Sequence, residues 1–213
     1  MVNGRVTVSV FFWLRFNEGK LLGLLKKAGF QEMAIRLPSV PLLPGIKLEM
    51  SLAPKPLATY GSVKASWHGE KFSLIFDGPI DELREALTRF TKATEDSDYA
   101  LQDVVNYCEI IVANWEIRRE NLLLSLRNKL KFRLKLHEEE FDVFSVSFSN
   151  RPSPVSTENF YKWCHVKLEP DVHAPDKIFY ITIIRRVRKL KEALEFISRL
   201  DKHIEEIIAQ LTR

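Results

Sequence analysis

Phe72-Ser-Leu-Ile-Phe-Asp-Gly-Pro-Ile-Asp-Glu-Leu-Arg-Glu-Ala-Leu87 reads as a strand feeding a charged helix. Phe179-Tyr-Ile-Thr-Ile-Ile-Arg-Arg-Val-Arg-Lys-Leu-Lys-Glu-Ala-Leu194 reads the same way about half a chain later. Laid together without gaps, the two stretches match at Phe72/Phe179, Leu83/Leu190, Glu85/Glu192, Ala86/Ala193 and Leu87/Leu194, and Arg84/Lys191 keeps the positive charge. Each closes a run of alternating strands. The repetition predicts an α+β fold made of two related antiparallel-sheet units with helices on one face, joined by a long helix. The expected boundaries are 1–96 for the first unit (β-α-β-β-β-α), 97–131 for the connecting helix and 132–213 for a second unit that ends in a long helix.

Working outward, Val6, Val8, Val10, Phe12, Leu14 and Phe16 alternate, which predicts a half-buried strand over 5–16 with Phe11 and Trp13 on its other face. Leu21, Leu22, Leu24 and Leu25 suit an amphipathic helix over 18–28, with Asn17 as its N-cap and Gly29 as its stop. Residues 37–45 carry prolines at 38, 41 and 44 and read as an ordered loop. Ile46 to Leu52 alternate as a further strand. Val63 to Trp67 and Phe72 to Phe76 are strands joined by a turn at His68-Gly-Glu-Lys71, followed by a helix from Ile80 to about Thr94. From Asp98 to Lys131 the apolar residues, among them Leu101, Val104, Val105, Cys108, Ile111, Val112 and Trp115, fit one helical stripe, with a break expected near Arg118. Strands are then expected at 132–136 and 141–148, where a parity shift at Val143/Phe144 suggests a bulge. A short helix at 158–163, strands at 165–168 and 178–184 and a last helix from Val187 to Leu211 complete the reading.

The chain carries 32 Lys and Arg against 28 Asp and Glu, a formal net charge of +4, and the clustering says more than the sum. Arg118, Arg119, Arg127, Lys129, Lys131, Arg133 and Lys135 face one acid, Glu120, over 118–135. Arg185, Arg186, Arg188, Lys189 and Lys191 form a second cluster. Arg188, Lys189 and Lys191 stand where a helix N-terminus is already positive, whereas the first repeat has Asp77, Asp81 and Glu82 there; the inversion points to an external anion or acidic partner, or to two surfaces that attract each other between units or subunits. Abundant Lys, Arg and Glu beside only Gln31, Gln102 and Gln210 fit a heat-adapted source.

The same residues limit the chemistry. With 8 glycines and no Gly-rich phosphate loop, Gly-x-Ser-x-Gly or Gly-x-Gly-x-x-Gly, no catalytic residue and no cofactor is assigned. The five histidines are scattered, and in the closest ligand set (Cys164, His165, Asp171, His173) the first two point to opposite faces of a strand, so no metal is assigned. Glu138 to Glu140 read as a solvated hairpin. Cys108 and Cys164 read as reduced thiols of a cytoplasmic protein. The apolar run at Val6–Phe16 is too short to span a membrane, and no membrane partner is expected.

Residues 63–93, two strands and a helix containing Leu83-Arg-Glu-Ala-Leu87, resemble the β-β-α portion of the small dimerisation subunit of the KEOPS tRNA-modification complex, and Leu190 to Leu194 looks like a second copy. The resemblance implies a non-catalytic scaffold that pairs with itself and holds a catalytic partner. The insertion at 37–45, the stretch 98–131 and the tandem arrangement depart from that pattern, so partner contacts do not carry over.

The expected function is a non-catalytic subunit that binds nucleic acid, RNA ahead of DNA. Arg119, Arg127, Lys129, Lys131, Arg133, Lys135, Arg185, Arg186 and Arg188 would contact phosphates, with Tyr161, Trp163 or Tyr180 available for stacking. Two alternatives stay open. One is a small-ligand binder with an apolar pocket between sheet and helix, lined by Phe11, Trp13, Trp67 and Phe144. The other is a scaffold that only contacts protein or self-associates through its exposed apolar residues.

Overall fold

The computed structural model describes residues 5–34, 54–97, 101–137, 139–150 and 160–212. The elements run β1 (Arg5–Phe12), α1 (Glu18–Lys27), β2 (Gln31–Glu32), β3 (Lys55–Tyr60), β4 (Val63–His68), β5 (Ser73–Gly78) and α2 (Ile80–Glu95). They continue with α3 (Leu101–Val104), β6 (Val105–Arg118), α4 (Leu122–Leu130), β7 (Arg133–Leu136), β8 (Glu139–Asp142) and β9 (Val146–Ser149). A 3-10 turn, Phe160–Lys162, precedes β10 (Cys164–Pro170), β11 (Ile178–Val187), α5 (Leu190–Ser198) and α6 (Leu200–Thr212). The fold is α+β.

Among the described residues a nine-stranded sheet in the order β2-β3-β4-β5-β1-β6-β11-β10-β9 forms the frame, and β7 and β8 make a separate two-stranded ribbon. The paired strands are antiparallel. At the centre β1 pairs with β6, Val8 opposite Ile110 and Val10 opposite Cys108. Outward from that seam each half places first the strand that precedes its closing helices (β5, β11), then the one before it (β4, β10).

Strand alternation makes the two faces of the sheet unequal. Val6, Val8 and Val10 of β1, Leu74 and Phe76 of β5, Cys108, Ile110 and Val112 of β6, and Phe179, Ile181 and Ile183 of β11 turn to one side. There they join buried residues of α1–α6 in one core cluster, including Leu25, Phe90, Leu101, Leu126, Ile197 and Ile204. Helix α2 lies beside α5, and Arg84 Nη2 donates to the Ile197 carbonyl at 3.3 Å. The opposite face carries Thr7, Ser9 and Phe11 of β1, Tyr107, Glu109 and Ile111 of β6, and Thr182, Ile184 and Arg186 of β11. No described helix is long and apolar enough to cross a membrane.

Local chemistry explains several boundaries. Asn17 Oδ1 accepts from the Gly19 amide at 2.8 Å and caps α1, and Gly29 at φ 90° ends it. Gly61 turns β3 into β4 at φ 54°, where a Cβ would collide with the Glu82 carboxylate. That carboxylate accepts from the Ser62 amide.

The connecting helix expected over 97–131 is not formed. Residues 101–104 make the short α3, then β6 runs for 14 residues, and α4 follows after a turn. The stretch 104–117 fits a helical stripe and a strand alternation at once. Its Val, Ile, Tyr and Trp content favours the strand, which packs one face on the core and leaves Tyr107, Glu109 and Ile111 on the other.

Four smaller expectations also change. The first strand ends at Phe12, and Trp13 and Leu14 are exposed. The parity shift at Val143/Phe144 is the passage from the ribbon to the main sheet rather than a bulge. Strand β11 runs on through Arg185 and Arg186, so α5 starts only at Leu190. The last helix is broken at Arg199 into α5 and α6, with Ser198 Oγ donating back to the Leu194 carbonyl at 2.8 Å, a contact that bends helices. The proline-rich stretch 37–45, the strand expected from Ile46 to Leu52 and the loop residues 151–157 lie outside the described residues.

Candidate nucleic-acid interface on the open face of the sheet

Two neighbouring rows of side chains cross the face that the described helices leave uncovered. Strand register sets His68, Ser73, Phe11 and Tyr107 side by side in one row, and Ser66, Ile75, Ser9, Glu109 and Arg186 in the next. Phe11 and Tyr107 stack at 4.4 Å between ring centroids with planes 10° apart. Phe160, in the 3-10 turn, meets the Tyr107 ring edge-on at 4.8 Å.

Arg186 sits at the centre of this aromatic group. Its Nε donates to Glu109 Oε2 at 2.7 Å, and the two side chains are only 15% and 17% exposed. The guanidinium carbon lies 4.2 Å from the Phe160 centroid, 5.2 Å from Trp163 and 5.5 Å from Tyr107. The Arg186 amide donates to the Trp163 carbonyl at 2.8 Å, which ties the turn to β11. Trp163 is itself anchored, with Nε1 donating to Ser149 Oγ at 3.0 Å. Arg188, one strand repeat on, lies over Tyr161 at 5.5 Å. Cations held over ring faces gain about 0.5–2 kcal/mol each, so both side chains are held in place before any partner arrives.

A cavity of about 490 Å³ opens beside this group, lined by Phe11, Lys71, Asn106, Tyr107, Glu109 and Arg186. Burial, opposed by Arg186 and aided by Glu109, pushes the Tyr107 phenol up, so it is a neutral donor at neutral pH. Among the described residues, five side-chain atoms are buried without a hydrogen-bond partner: Arg84 Nε and Arg185 Nε on the helix side, and Arg186 Nη1, Ser73 Oγ and His68 Nδ1 on the open face. The three on the open face belong to the two rows that run past the Phe11–Tyr107 stack. Buried polar atoms are nearly always paired, so three orphans on one face mark where a polar ligand would be satisfied.

The cations singled out by sequence are dispersed. Leu122, Leu123 and Leu126 turn α4 to the core, which sets Arg119, Arg127, Lys129 and Lys131 around that helix, with Arg133 and Lys135 on the ribbon. Arg127 Nε donates to the Val143 carbonyl at 3.1 Å and lies 3.4 Å from Asp142. Lys129 donates to the Gln210 carbonyl, and Arg133 is 3.9 Å from Glu140. Arg185 points to the helix face, with its guanidinium 5.2 Å over Phe196 of α5. Arg186 and Arg188 are therefore the two sequence-predicted cations that the structure brings together with aromatic rings of the 3-10 turn. Of the stacking candidates, Trp163 and Tyr161 are at this site, while Tyr180 donates to Asp171 at 3.1 Å elsewhere on β11.

The residues expected to line an apolar pocket between sheet and helix do not converge. Trp67 is 2% exposed in the core, whereas Trp13 and Phe144 are 63% and 44% exposed. Phe11 alone of the four reaches the cavity, and that cavity is on the open face. Cys164 and His165 point to opposite sides of β10, paired with Arg185 and Ile184 respectively. Among the described residues no His, Cys, Asp or Glu group is arranged to hold a metal ion.

Sequence reasoning missed Tyr107, Glu109, Asn106, Lys71 and Phe160. Tyr107 and Glu109 were hidden by the helical reading of 98–131; a period-two reading of 105–112 sends both to the outward side. Comparison of the chain with known protein families, with curated proteins and with solved structures finds no match.

Proposed function

We propose that the chain is a non-catalytic nucleic-acid-binding or assembly subunit that takes single-stranded RNA on the open face of its sheet. The observation that carries this reading is the pairing of Arg186 and Arg188 with the rings of Phe160, Tyr161 and Trp163. Guanidinium groups hold phosphates, and ring faces beside them accept bases that are not already stacked in a duplex. Duplex DNA offers the phosphates without the free bases, so a single strand is ranked ahead of a duplex. The cations of 119–135 are proposed as a second, weaker electrostatic field rather than as part of the same contact.

The experiment is an anisotropy titration of the whole chain against labelled single-stranded RNA, tRNA and duplex DNA over a series of salt concentrations. Single-stranded RNA should bind tightest and weaken with salt, and Arg188→Ala should reduce both the affinity and the salt slope. Loss of binding on substituting Arg127, Lys129 and Lys131, with Arg188→Ala neutral, would move the interface to the helix side.

A protein partner is the second reading. Leu134 pairs with Phe141 across the ribbon, and Phe132, Leu134 and Phe141 are all exposed, an arrangement that suits docking. The resemblance of 63–93 to the KEOPS dimerisation subunit adds to it.

A further inference from the structure

We infer that the cavity beside Arg186 is a pocket for one unpaired nucleotide, with the base against the Phe11–Tyr107 ring pair and the phosphate at Lys71 and Arg186. This rests on the proposed function and names the ligand unit that the open face would select.

Size, charge and shape each narrow the choice. A volume of about 490 Å³ falls within the roughly 300–1,000 Å³ of small-molecule sites and has room for a nucleotide. Two cations, Lys71 and Arg186, face one carboxylate, Glu109, and that carboxylate is already engaged by Arg186 Nε at 2.7 Å. The balance favours a single phosphate group, and Glu109 disfavours a pyrophosphate. One wall is aromatic, with Phe11 and Tyr107 nearly parallel, and the rest is polar (Lys71, Asn106, Glu109, Arg186), which suits a planar polar ring system better than an alkyl chain.

Polar groups at the rim supply the recognition. Asn106 is the extra residue where the β1–β6 register shifts, since Phe11 faces Tyr107 and Phe12 faces Val105. Its amide lines the cavity with one donor group and one acceptor, the complement of a base's Watson–Crick edge. Arg186 Nη1 is buried with no partner among the described residues, while Nε and the ring of Phe160 hold the same guanidinium fixed. A phosphate oxygen at Nη1 satisfies that orphan without disturbing the Glu109 pair. Free phosphate shares the cation chemistry but leaves the ring wall and the Asn106 amide unused.

The test is calorimetric titration of the full chain with 5′-UMP, 5′-AMP, uridine and inorganic phosphate, with each then used to compete against labelled single-stranded RNA. A 5′-mononucleotide should bind at least about tenfold more tightly than nucleoside or phosphate, a clear difference in an equilibrium constant, and should displace the RNA. Asn106→Ala should erase most of the advantage of nucleotide over phosphate. Lys71→Gln, in the β4–β5 turn where the fold is not at stake, should weaken nucleotide and phosphate alike. Phosphate binding as tightly as nucleotide would overturn the pocket in favour of an anion site. RNA binding that ignores nucleotide, Asn106→Ala and Lys71→Gln would also overturn it while leaving the proposed function intact. Nucleotide binding without any RNA binding would uphold the pocket and contradict the RNA reading.

Discussion

Arg186 and Glu109 pair with little solvent around either, so removing one leaves the other charged and desolvated. Arg186→Ala should therefore lower stability by about 1–3 kcal/mol, read as a shift of the urea midpoint. Arg186→Lys should recover part of this, because an ammonium restores the charge but not the fork over Phe160. Arg188, exposed just past the end of β11, should change binding with little effect on the midpoint, which separates the two roles. At Cys108 burial comes first and the nearby Glu192 second, and together they push the thiol from its ordinary 9.0 up to about 12. Because the folded value is the higher one, the neutral thiol costs nothing below pH 9.0, and stability falls as pH climbs from there toward about 12. In native protein at pH 8, a thiol reagent should find the half-buried Cys164 and leave Cys108 unmodified until urea is added. Equal labelling of both would mean that β6 does not pack its Cys108 face on the core.

Strand β6 is the element on which sequence and structure part. Asn114 has φ 51°, where Ile181 faces Trp115 and Ile183 faces Val112, so β6 holds one extra residue against β11. Asn tolerates that left-handed conformation; a β-branched residue does not. Asn114→Val should cost about 1–2 kcal/mol in chemical denaturation while Asn114→Gly stays near neutral, and equal midpoints for the two would argue against the bulge. The bulge also marks what was hidden in the sequence. A run that reads Cys108-Glu-Ile-Ile-Val-Ala-Asn-Trp115 switches face at the extra residue, so neither a clean period of two nor one of 3.6 spans it. The elements flanked by local punctuation were legible: α1 between Asn17 and Gly29, the β4–β5 hairpin, and β5 leading into α2 through Pro79. The cationic strand positions were legible as charges but not as faces. Arg185 and Arg186 are adjacent in sequence and end on opposite sides of the sheet, and only the register of β11 against β6 decides which one meets Tyr107.

At the scale of the molecule, β1 is paired on both edges, to β5 and to β6, and the core-facing residues of both halves lie in one cluster. Splitting the chain between Glu95 and Leu101 would expose the long edges of β1 and β6 together with the apolar flanks of α2 and α5. Urea unfolding followed by circular dichroism and by tryptophan fluorescence should accordingly superimpose as one transition. Fragments 1–96 and 97–213 should each be poorly soluble alone and regain sheet signal on mixing. Two resolved transitions would mean that the seam is a dispensable contact between independent folds.

The open face of this single sheet is where RNA binding is proposed, and the salt dependence of RNA affinity tests it most directly. Anisotropy of a labelled single-stranded RNA should rise on adding protein at low salt, and the binding constant should fall linearly with salt on logarithmic axes. Arg188→Ala should flatten that line by about 0.7 for the phosphate contact removed. An absence of binding at low salt, or a slope that Arg188→Ala leaves unchanged, would contradict the assignment of this face to RNA.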